Sequence, residues 1–341
     1  MPIPHHDESK SAELLSRVSW LLRFSIGIGI VAFLVSRHDF SDLRRTLGTT
    51  SWPILLGAVV FYWLGQLLCA WKWKLLLAAQ NANVSFANCC RLYAVGMFWN
   101  LWMPTNIGGD AVRALRCGAL CGSRTVAASS ILVERITGLT ALIVIGSLAF
   151  VIQIIAFPIA FPIAWPNATR LLTATLVFFV LVLALFGITR KSTRRNPTRN
   201  ATRDASRFSQ KVAALREASL FYLAPQQRST LFTALLLSMI FQASQIVLNV
   251  VLARALGLTI PPLVFWWLVP ALSLASLLPL GIGGLGVREV AAVQFLGVFN
   301  VSAPTIIAWS LLWQATVWLA SLVGAVWTPQ SSTRSVTKKQ R

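Results

Sequence analysis

The chain has 341 residues, of which 56% are hydrophobic and only 12% are charged, whereas about a quarter of the residues in a soluble globular protein are charged. This composition excludes an ordinary soluble domain and predicts a protein embedded in a bilayer. The formal net charge of +20 does not indicate a nucleic-acid partner, because the basic residues lie between apolar segments, where they set topology and attract anionic lipid headgroups.

Apolar segments follow a short N-terminal segment, residues 1–19, which is predicted to be cytoplasmic. Bilayer spans need about 20 residues, and the segments of that length are 20–36, 54–71, 127–157, 168–189, 229–253 and 305–327. Three further segments, 92–107, 263–284 and 290–299, are shorter or interrupted by Pro and Gly. The predicted fold class is an all-α polytopic membrane protein with about six full crossings plus two re-entrant hairpins. Its transmembrane domain covers 20–327, and a basic cytoplasmic tail covers 328–341.

The basic residues predict the orientation of these segments, because loops rich in Lys and Arg stay in the cytoplasm. The stretch 190–216 holds nine basic residues and one acid, within a predicted cytoplasmic loop over 190–228. The stretch 158–167 has no charge and is predicted to be external. Both termini are then cytoplasmic, in a multi-pass protein of the cytoplasmic (inner) membrane. Basic residues also flank 92–107, as expected of a segment that enters from the cytoplasm and returns to it: Lys72, Lys74, Arg91, Arg113, Arg116 and Arg124.

A sequence motif occurs twice, at 104–113 and at 279–288. The two copies share the pattern P-x-x-I-G-G-x-x-V-R, with six identities in ten positions, and lie 175 residues apart. Pro, paired Gly and Arg in one register indicate an internal duplication. Three predicted crossings separate the copies, so the second repeat is predicted to be inverted relative to the first.

Each motif is expected to break a helix at membrane depth. Proline removes a backbone donor and paired glycines unwind the helix, and backbone freed in this way is tolerated only where it is buried in protein or lines a wet cavity. A half-helix that starts after the glycines directs its positive end inward, which favours an anionic group such as a lipid phosphate. The alternative is a packing kink, in which the small residues let helices approach closely.

Three acids lie in apolar regions, each with an arginine at hand. Asp110 and Arg113 share a helix face at i, i+3, and Glu289 adjoins Arg288. Glu134 adjoins Arg135. The side chains of adjacent helix residues point about 100° apart, so these two are expected to contact different partners. Charges inside a membrane are costly and tend to be paired and functional. The alternatives are a helix N-cap for Asp110 and a structural inter-helix ion pair for Glu134 and Arg135.

The sequence offers little for catalysis. The three histidines, His5, His6 and His38, lie near the terminus or in a loop, so no buried Ser-His or Cys-His pair is expected. We expect no metal site and no cofactor. Asp39 and Asp42 lie outside the first apolar segment, as acids do in membrane glycosyltransferases that use lipid-linked sugars, but a solvated charged turn explains them better.

Three motifs together carry a family resemblance. They are Phe98-x-Asn100-x-x-Met103-Pro104-x-x-Ile107-Gly108-Gly109-Asp110-x-x-Arg113, Val133-Glu134-Arg135-x-x-Gly138 and Leu278-Pro279-x-x-Ile282-Gly283-Gly284-x-Gly286-x-Arg288-Glu289. Over roughly 15–327 the chain resembles the membrane (flippase) domain of bacterial lysylphosphatidylglycerol synthases and their stand-alone relatives. Met103, where the family usually has Leu, is a mild departure. The resemblance implies lipid translocation, and because we expect no soluble aminoacyl-transferase domain, it does not imply an enzyme.

The leading hypothesis is a lipid flippase-like protein without catalytic residues, which moves an anionic phospholipid or a polyprenyl-phosphate-linked lipid. A partner enzyme that modifies the lipid is conceivable, and the oligomeric state is open. Arg113 and Arg288 would contact the headgroup, with Asp110, Glu134 and Glu289 as partners or gates. The other expected pathway residues are Arg135, Asn100 and Asn106, and the expected helix-breaking residues are Pro104, Gly108, Gly109, Pro279, Gly283 and Gly284. A membrane glycosyltransferase with Asp39 and Asp42 as its acids, or a non-transporting scaffold, are the alternatives.

Cysteine labelling tests the predicted orientation. In a chain without its native cysteines, an impermeant thiol reagent added outside the cell should modify Ala164→Cys and spare Asn200→Cys, because only the latter lies in the basic loop. The opposite pattern would overturn both the orientation and the inverted repeat.

Overall fold

The computed structural model describes residues 51–103, 108–156, 203–277 and 285–328, and a few isolated positions between 25 and 48. The helices in these four ranges are α1 (Trp52–Ala79), α2 (Phe86–Trp102), α3 (Gly108–Cys121), α4 (Arg124–Ala156), α5 (Arg203–Leu220), α6 (Arg228–Ala255), α7 (Pro262–Ala275), α8 (Val287–Leu296) and α9 (Ala303–Leu322). Short 3-10 turns cover Phe221–Leu223, Pro225–Gln227, Gly297–Phe299 and Val323–Trp327. Because these ranges contain helices and no strand, the predicted all-α class is confirmed for them.

Four of these helices are long and apolar enough to cross a membrane. They are α1, α4, α6 together with the turn before it, and α9 together with the turn after it. They confirm the predicted spans 54–71, 127–157, 229–253 and 305–327. The predicted spans 20–36 and 168–189 lie outside the four described ranges, so the number of crossings stays a prediction.

The order of helices repeats along the chain. A long helix, a short helix, an interruption, a second short helix and another long helix follow one another in α1–α4 and again in α6–α9. Helices α6 and α7 start at 228 and 262, each 176 residues after α1 and α2, which start at 52 and 86. This offset agrees with the 175-residue spacing of the two motifs. The relative orientation of the two halves stays a prediction.

Separate helices lie on either side of the Pro-x-x-Ile part of each motif. Helix α2 ends at Trp102, the backbone at Met103 is extended, and α3 begins at Gly108. Helix α7 ends at Ala275, and α8 begins after Gly286, whose φ of 89° is one that glycine adopts without strain. The intervening motif residues, which include Pro104, Asn106, Pro279, Gly283 and Gly284, lie outside the described ranges. A re-entrant course for either helix pair therefore remains a prediction.

Glycines let α2 and α3 pack closely. A Cβ atom at Gly109 would collide with the backbone oxygen of Gly96, and one at Gly96 would lie 2.5 Å from Cδ of Arg113. At Gly108 a Cβ would collide with the side chain of Met103. For Gly109 the structure therefore shows the close approach that the sequence left as an alternative, and this approach sets the position of Arg113.

Helices of the first half of the chain, α1–α4, pack directly against helices of the second half, α6–α9. Helix α1 packs against α6, α4 packs against α6 and α7, and α9 packs against α1 and α2. The largest buried cluster centres on α6, α7 and α9, with Trp267 and Trp309 among its members. Helix α5, within the predicted cytoplasmic loop, packs against α4.

Tyr222 ties the turn between α5 and α6 to the end of α1. Its hydroxyl donates to the backbone oxygen of Leu76 at 2.7 Å. Burial raises the pKa of Tyr222 to about 12.

The glycine contact can be tested by adding one methyl group. Gly109→Ala should lower the thermal unfolding midpoint in detergent, because overpacking costs about 1–3 kcal/mol. Gly57→Ala is the matched control, since Gly57 lies in α1 with no other atom within 4 Å of an added Cβ. The control should keep or raise the midpoint, because alanine is the better helix former. Equal midpoints for both variants would contradict the close packing of α2 and α3.

Candidate functional site

A buried ion pair joins α3 to α4. Nη2 of Arg113 lies 2.8 Å from Oε2 of Glu134, and the two side chains are only 2% and 4% exposed. Both residues were predicted from the sequence as functional charges in apolar segments, but the pair between them was not predicted. Glu134 and its neighbour Arg135 do face different partners, as their divergence on the helix predicted.

Two aromatic rings enclose the Arg113 guanidinium. Its Cζ atom lies 4.2 Å from the ring centroid of Trp73 and 3.9 Å from that of Tyr93, distances at which the ring faces attract a cation. The Tyr93 hydroxyl donates to Oε1 of Glu134 at 2.5 Å, and Nε1 of Trp73 donates to Ser130 at 2.9 Å. Sequence reasoning missed both rings, which come from α1 and α2.

Asp110 lies between two arginines. Its Oδ1 accepts a bond from Arg113 at 3.2 Å, and its two carboxylate oxygens accept bonds from Arg135 at 2.7 and 2.9 Å. Asp110 is not the N-cap of α3, because the helix already begins at Gly108. The backbone N–H of Gly109 donates to the Asn100 side chain at 2.8 Å. Arg135 is 53% exposed, which distinguishes it from the buried Arg113.

Lys72 belongs to the same cluster. It is only 3% exposed, and its Nζ donates to the backbone oxygen of Glu134 at 3.3 Å and to Ser238 of α6 at 3.0 Å. Lys72 and Arg113 thus lie inside the protein and not on its surface, and the topology inferred from the basic residues around 92–107 stays a prediction. The cluster holds three cations, Lys72, Arg113 and Arg135, against the two carboxylates of Asp110 and Glu134, which leaves one positive charge in excess.

The second motif ends in a second buried arginine. Arg288 is 3% exposed, and its Nη2 donates to Oδ1 of Asn249 at 2.9 Å. Its Cζ lies 5.4 Å from the ring centroid of Trp309 and 5.2 Å from that of Trp313. Trp309 in turn donates to the backbone oxygen of Asn249 at 3.0 Å. Asn249 thus positions the guanidinium, and no sequence signal marked it.

Glu289 does not pair with Arg288. Its Oε2 accepts the backbone N–H of Gly286 at 2.6 Å and its Oε1 accepts the Ser310 hydroxyl at 2.8 Å, so the carboxylate caps its own helix. The expected pair is wrong because adjacent helix residues do not face each other. Within the described ranges Arg288 makes no ion pair, and its Nε has no acceptor.

The two arginines are therefore alike in burial and in aromatic surroundings but differ in charge compensation. Arg113 faces two carboxylates, whereas Arg288 is held by a neutral amide.

Asn106 and the break residues Pro104, Pro279, Gly283 and Gly284 lie outside the described ranges, as do Asp39 and Asp42. In the part of the chain that the structure describes, no group of His, Cys, Asp and Glu has an arrangement that could hold a metal ion.

Long apolar helices around buried ionic side chains define a polytopic membrane protein. Residues 20–324 match the family described as "Lysylphosphatidylglycerol synthase TM region". The match covers most of the chain, and the chain belongs to this family. No curated protein and no solved structure shows a significant match. The family supports a membrane lipid-related function.

The ion pair between Arg113 and Glu134 predicts a specific pattern of stability. Glu134→Gln should lower stability by about 3–5 kcal/mol, because it leaves a buried guanidinium with a weaker partner. The double variant Arg113→Gln with Glu134→Gln should recover part of the loss, since the guanidinium left without its carboxylate is then also removed. Thermal unfolding in detergent measures both. Glu217→Gln, at an exposed acid of α5, should have no effect, and a double variant no more stable than Glu134→Gln would refute the pairing.

Proposed function

We propose that this protein moves an anionic lipid, a phospholipid or a polyprenyl-phosphate-linked lipid, across the cytoplasmic membrane. The observation that carries the proposal is the Arg288 guanidinium, which is buried and makes no ion pair with a described carboxylate. A charged side chain at membrane depth costs about 2.5–3.5 kcal/mol on insertion scales. A lipid phosphate that arrives at Arg288 would supply the missing countercharge.

The position of Arg288 suits a phosphate in a second respect. The two flanking tryptophans shield the guanidinium from water, and their ring faces attract its positive charge. A bidentate Arg–phosphate contact would use the Nε that has no acceptor now.

Arg113 has a different role in this proposal. Glu134 and Asp110 already neutralise it, so it holds α3 against α4. We assign the lipid contact in the first half to Arg135, because its side chain is half exposed on a membrane-spanning helix. An arginine there is tolerated when it faces a wet opening instead of lipid tails, so in this proposal Arg135 with Asp110 would meet a headgroup at the entrance.

The proposal treats the two halves as inverted repeats, with both termini and the 190–228 loop in the cytoplasm. Inversion would put the two arginine sites at different depths and let each serve one leaflet. The protein in this proposal translocates the lipid without changing it. Any chemical modification of the headgroup would then fall to a partner enzyme.

Arg288→Gln tests the proposal in proteoliposomes that carry fluorescent phosphatidylglycerol. The variant should fold normally, because its replacement leaves no unpaired acid behind and Gln can still bond to Asn249. Its rate of phosphatidylglycerol movement, followed by chemical quenching of the outer leaflet, should fall by about tenfold or more, as expected for loss of a charged hydrogen bond.

Arg91→Gln is the control for this experiment, since Arg91 is an exposed arginine of α2 and should not matter. Labelled phosphatidylcholine should move more slowly than phosphatidylglycerol in the unchanged protein. Wild-type rates in a stably folded Arg288→Gln protein would remove Arg288 from the site. Absence of lipid movement by the unchanged protein would defeat the proposed function.

A further inference from the structure

The second half of the protein carries almost no charge. Between Arg254 and Arg334 the sequence contains only two charged residues, Arg288 and its neighbour Glu289. Both side chains are buried, with exposed fractions of 3% and 1%. The proposed lipid contact at Arg288 therefore takes place beside one buried carboxylate, and residues 255–333 supply no other acid or base.

The helices that pack against α8 bring no charge to Glu289. Helices α7 and α9 and the turn Gly297–Phe299 pack against α8, and none of them contains Asp, Glu, His, Lys, Arg, Cys or Tyr. Helix α6 contributes Arg254, which binds backbone oxygens of the loop before α7. Helix α1 contributes Tyr62, whose ring lies edge-on against Trp313. Among the described residues, Glu289 therefore has no charged partner.

The two hydrogen bonds of Glu289 are compatible with either protonation state. Its Oε2 accepts the backbone N–H of Gly286, and its Oε1 accepts the Ser310 hydroxyl. A protonated carboxyl keeps an acceptor oxygen for the N–H group and gains an O–H donor, which the oxygen of a hydroxyl can accept. Glu289 can therefore gain or lose a proton and still cap α8.

An anion at Arg288 changes the charge balance of this region. The charges of Arg288 and Glu289 compensate each other at short range, because consecutive Cα atoms are about 3.8 Å apart, although the two side chains form no ion pair. A lipid phosphodiester bound to Arg288 leaves the region with one negative charge in excess. An uncompensated charge is expensive in the protein interior. One proton on Glu289 restores neutrality.

The first cluster needs no such proton. Its three cations, Lys72, Arg113 and Arg135, exceed its two carboxylates by one charge, so an anion that contacts Arg135 completes the balance. Both carboxylates, Asp110 and Glu134, already bind arginines at 2.7 to 3.2 Å, and such contacts favour the charged form of a carboxyl group. Only the second arginine site therefore requires a proton when it takes up an anion.

We propose that Glu289 binds a proton when an anionic lipid occupies Arg288, so that the protein moves the lipid together with one proton. This inference rests on the proposed function and adds the energy source of the movement. The proton comes from water on the side where the lipid arrives, forms an O–H bond with the Glu289 carboxylate, and returns to water when the lipid leaves. The charges of the phosphate and the proton cancel. A pH difference across the membrane therefore drives the movement, whereas a membrane potential does not.

Proton uptake on lipid binding tests the role of Glu289 without any lipid movement. Dihexanoyl phosphatidylglycerol is a short-chain lipid that dissolves in water. When it is added to the purified protein in weak buffer, a pH indicator should report about one proton taken up per lipid bound. Its dissociation constant should fall by up to about tenfold for each unit by which the pH is lowered, as expected for one proton per ligand. Absence of binding, or binding without proton uptake, would overturn the proposal.

Glu289→Gln assigns the proton to this residue. The amide resembles a protonated carboxyl, so the variant should bind the lipid without proton uptake and with an affinity that does not depend on pH. Glu217→Gln, at an exposed acid of α5, is the matched control and should keep both the uptake and the pH dependence. Uptake that persists in Glu289→Gln, or is lost equally in Glu217→Gln, would overturn the assignment.

A zwitterionic lipid tests the charge balance. Dihexanoyl phosphatidylcholine should bind without proton uptake in the unchanged protein, because its choline group brings its own positive charge. Equal uptake with the two lipids would contradict the charge balance and overturn the proposal, and this comparison needs no variant.

Proteoliposomes distinguish movement of the lipid with a proton from movement of the anion alone. When the internal pH is one unit above the external pH, fluorescent phosphatidylglycerol should accumulate in the inner leaflet by up to about tenfold over protein-free vesicles, because lipid and proton leave the acidic side together. A potassium diffusion potential set with valinomycin should not change its distribution. A response to the potential and none to the pH difference would overturn the proposal and leave the proposed function intact. If the unchanged protein moved no lipid but still took up a proton with bound phosphatidylglycerol, the proposed function would fail and the proton-linked site would remain.

Discussion

The contact between Arg113 and Glu134 determines how the first half of this protein can be built. The buried Arg113 guanidinium binds the Glu134 carboxylate, which also accepts the Tyr93 hydroxyl, and Lys72 donates to the backbone oxygen of Glu134. Four helices, α1 to α4, therefore meet at one ion pair. The close approach of Gly96 and Gly109 brings Arg113 to that point, and a side chain larger than hydrogen at either glycine would displace it. The helix interruption, the glycines and the charges are parts of one arrangement.

Much of the fold could be predicted from the sequence because the bilayer limits the possibilities. Runs of apolar residues predicted the four described spans, and Pro with paired Gly predicted that helices end around both motifs. The rarity of acids in apolar segments selected Asp110, Glu134 and Glu289. These signals are local, and each can be read within a window of about 20 residues.

The partners of those charges could not be predicted, because other helices supply them at unrelated positions in the chain. Lys72 resembled a flanking charge since it follows the apolar run 54–71, yet α1 continues to Ala79 and carries Lys72 into the interior. Asn249 lies in an apolar helix and is 39 residues from Arg288. Glu289 was assigned to its neighbour in sequence, whereas the helix turns the two side chains apart.

The repeat also explains why the two arginine sites differ. The helices of the second half start 176 to 179 residues after their counterparts, so the position equivalent to Glu134 falls within 310–313. That stretch reads Ser-Leu-Leu-Trp, and α9 contains no acid. The second half has placed its only nearby carboxylate, Glu289, on α8 itself, where it binds Ser310 and the backbone. One copy of the motif thus has its arginine paired with carboxylates between two helices, and the other has an arginine that no described carboxylate pairs with. Two copies of one motif thus place their arginines in different surroundings, because the helices that supply the partners differ in sequence.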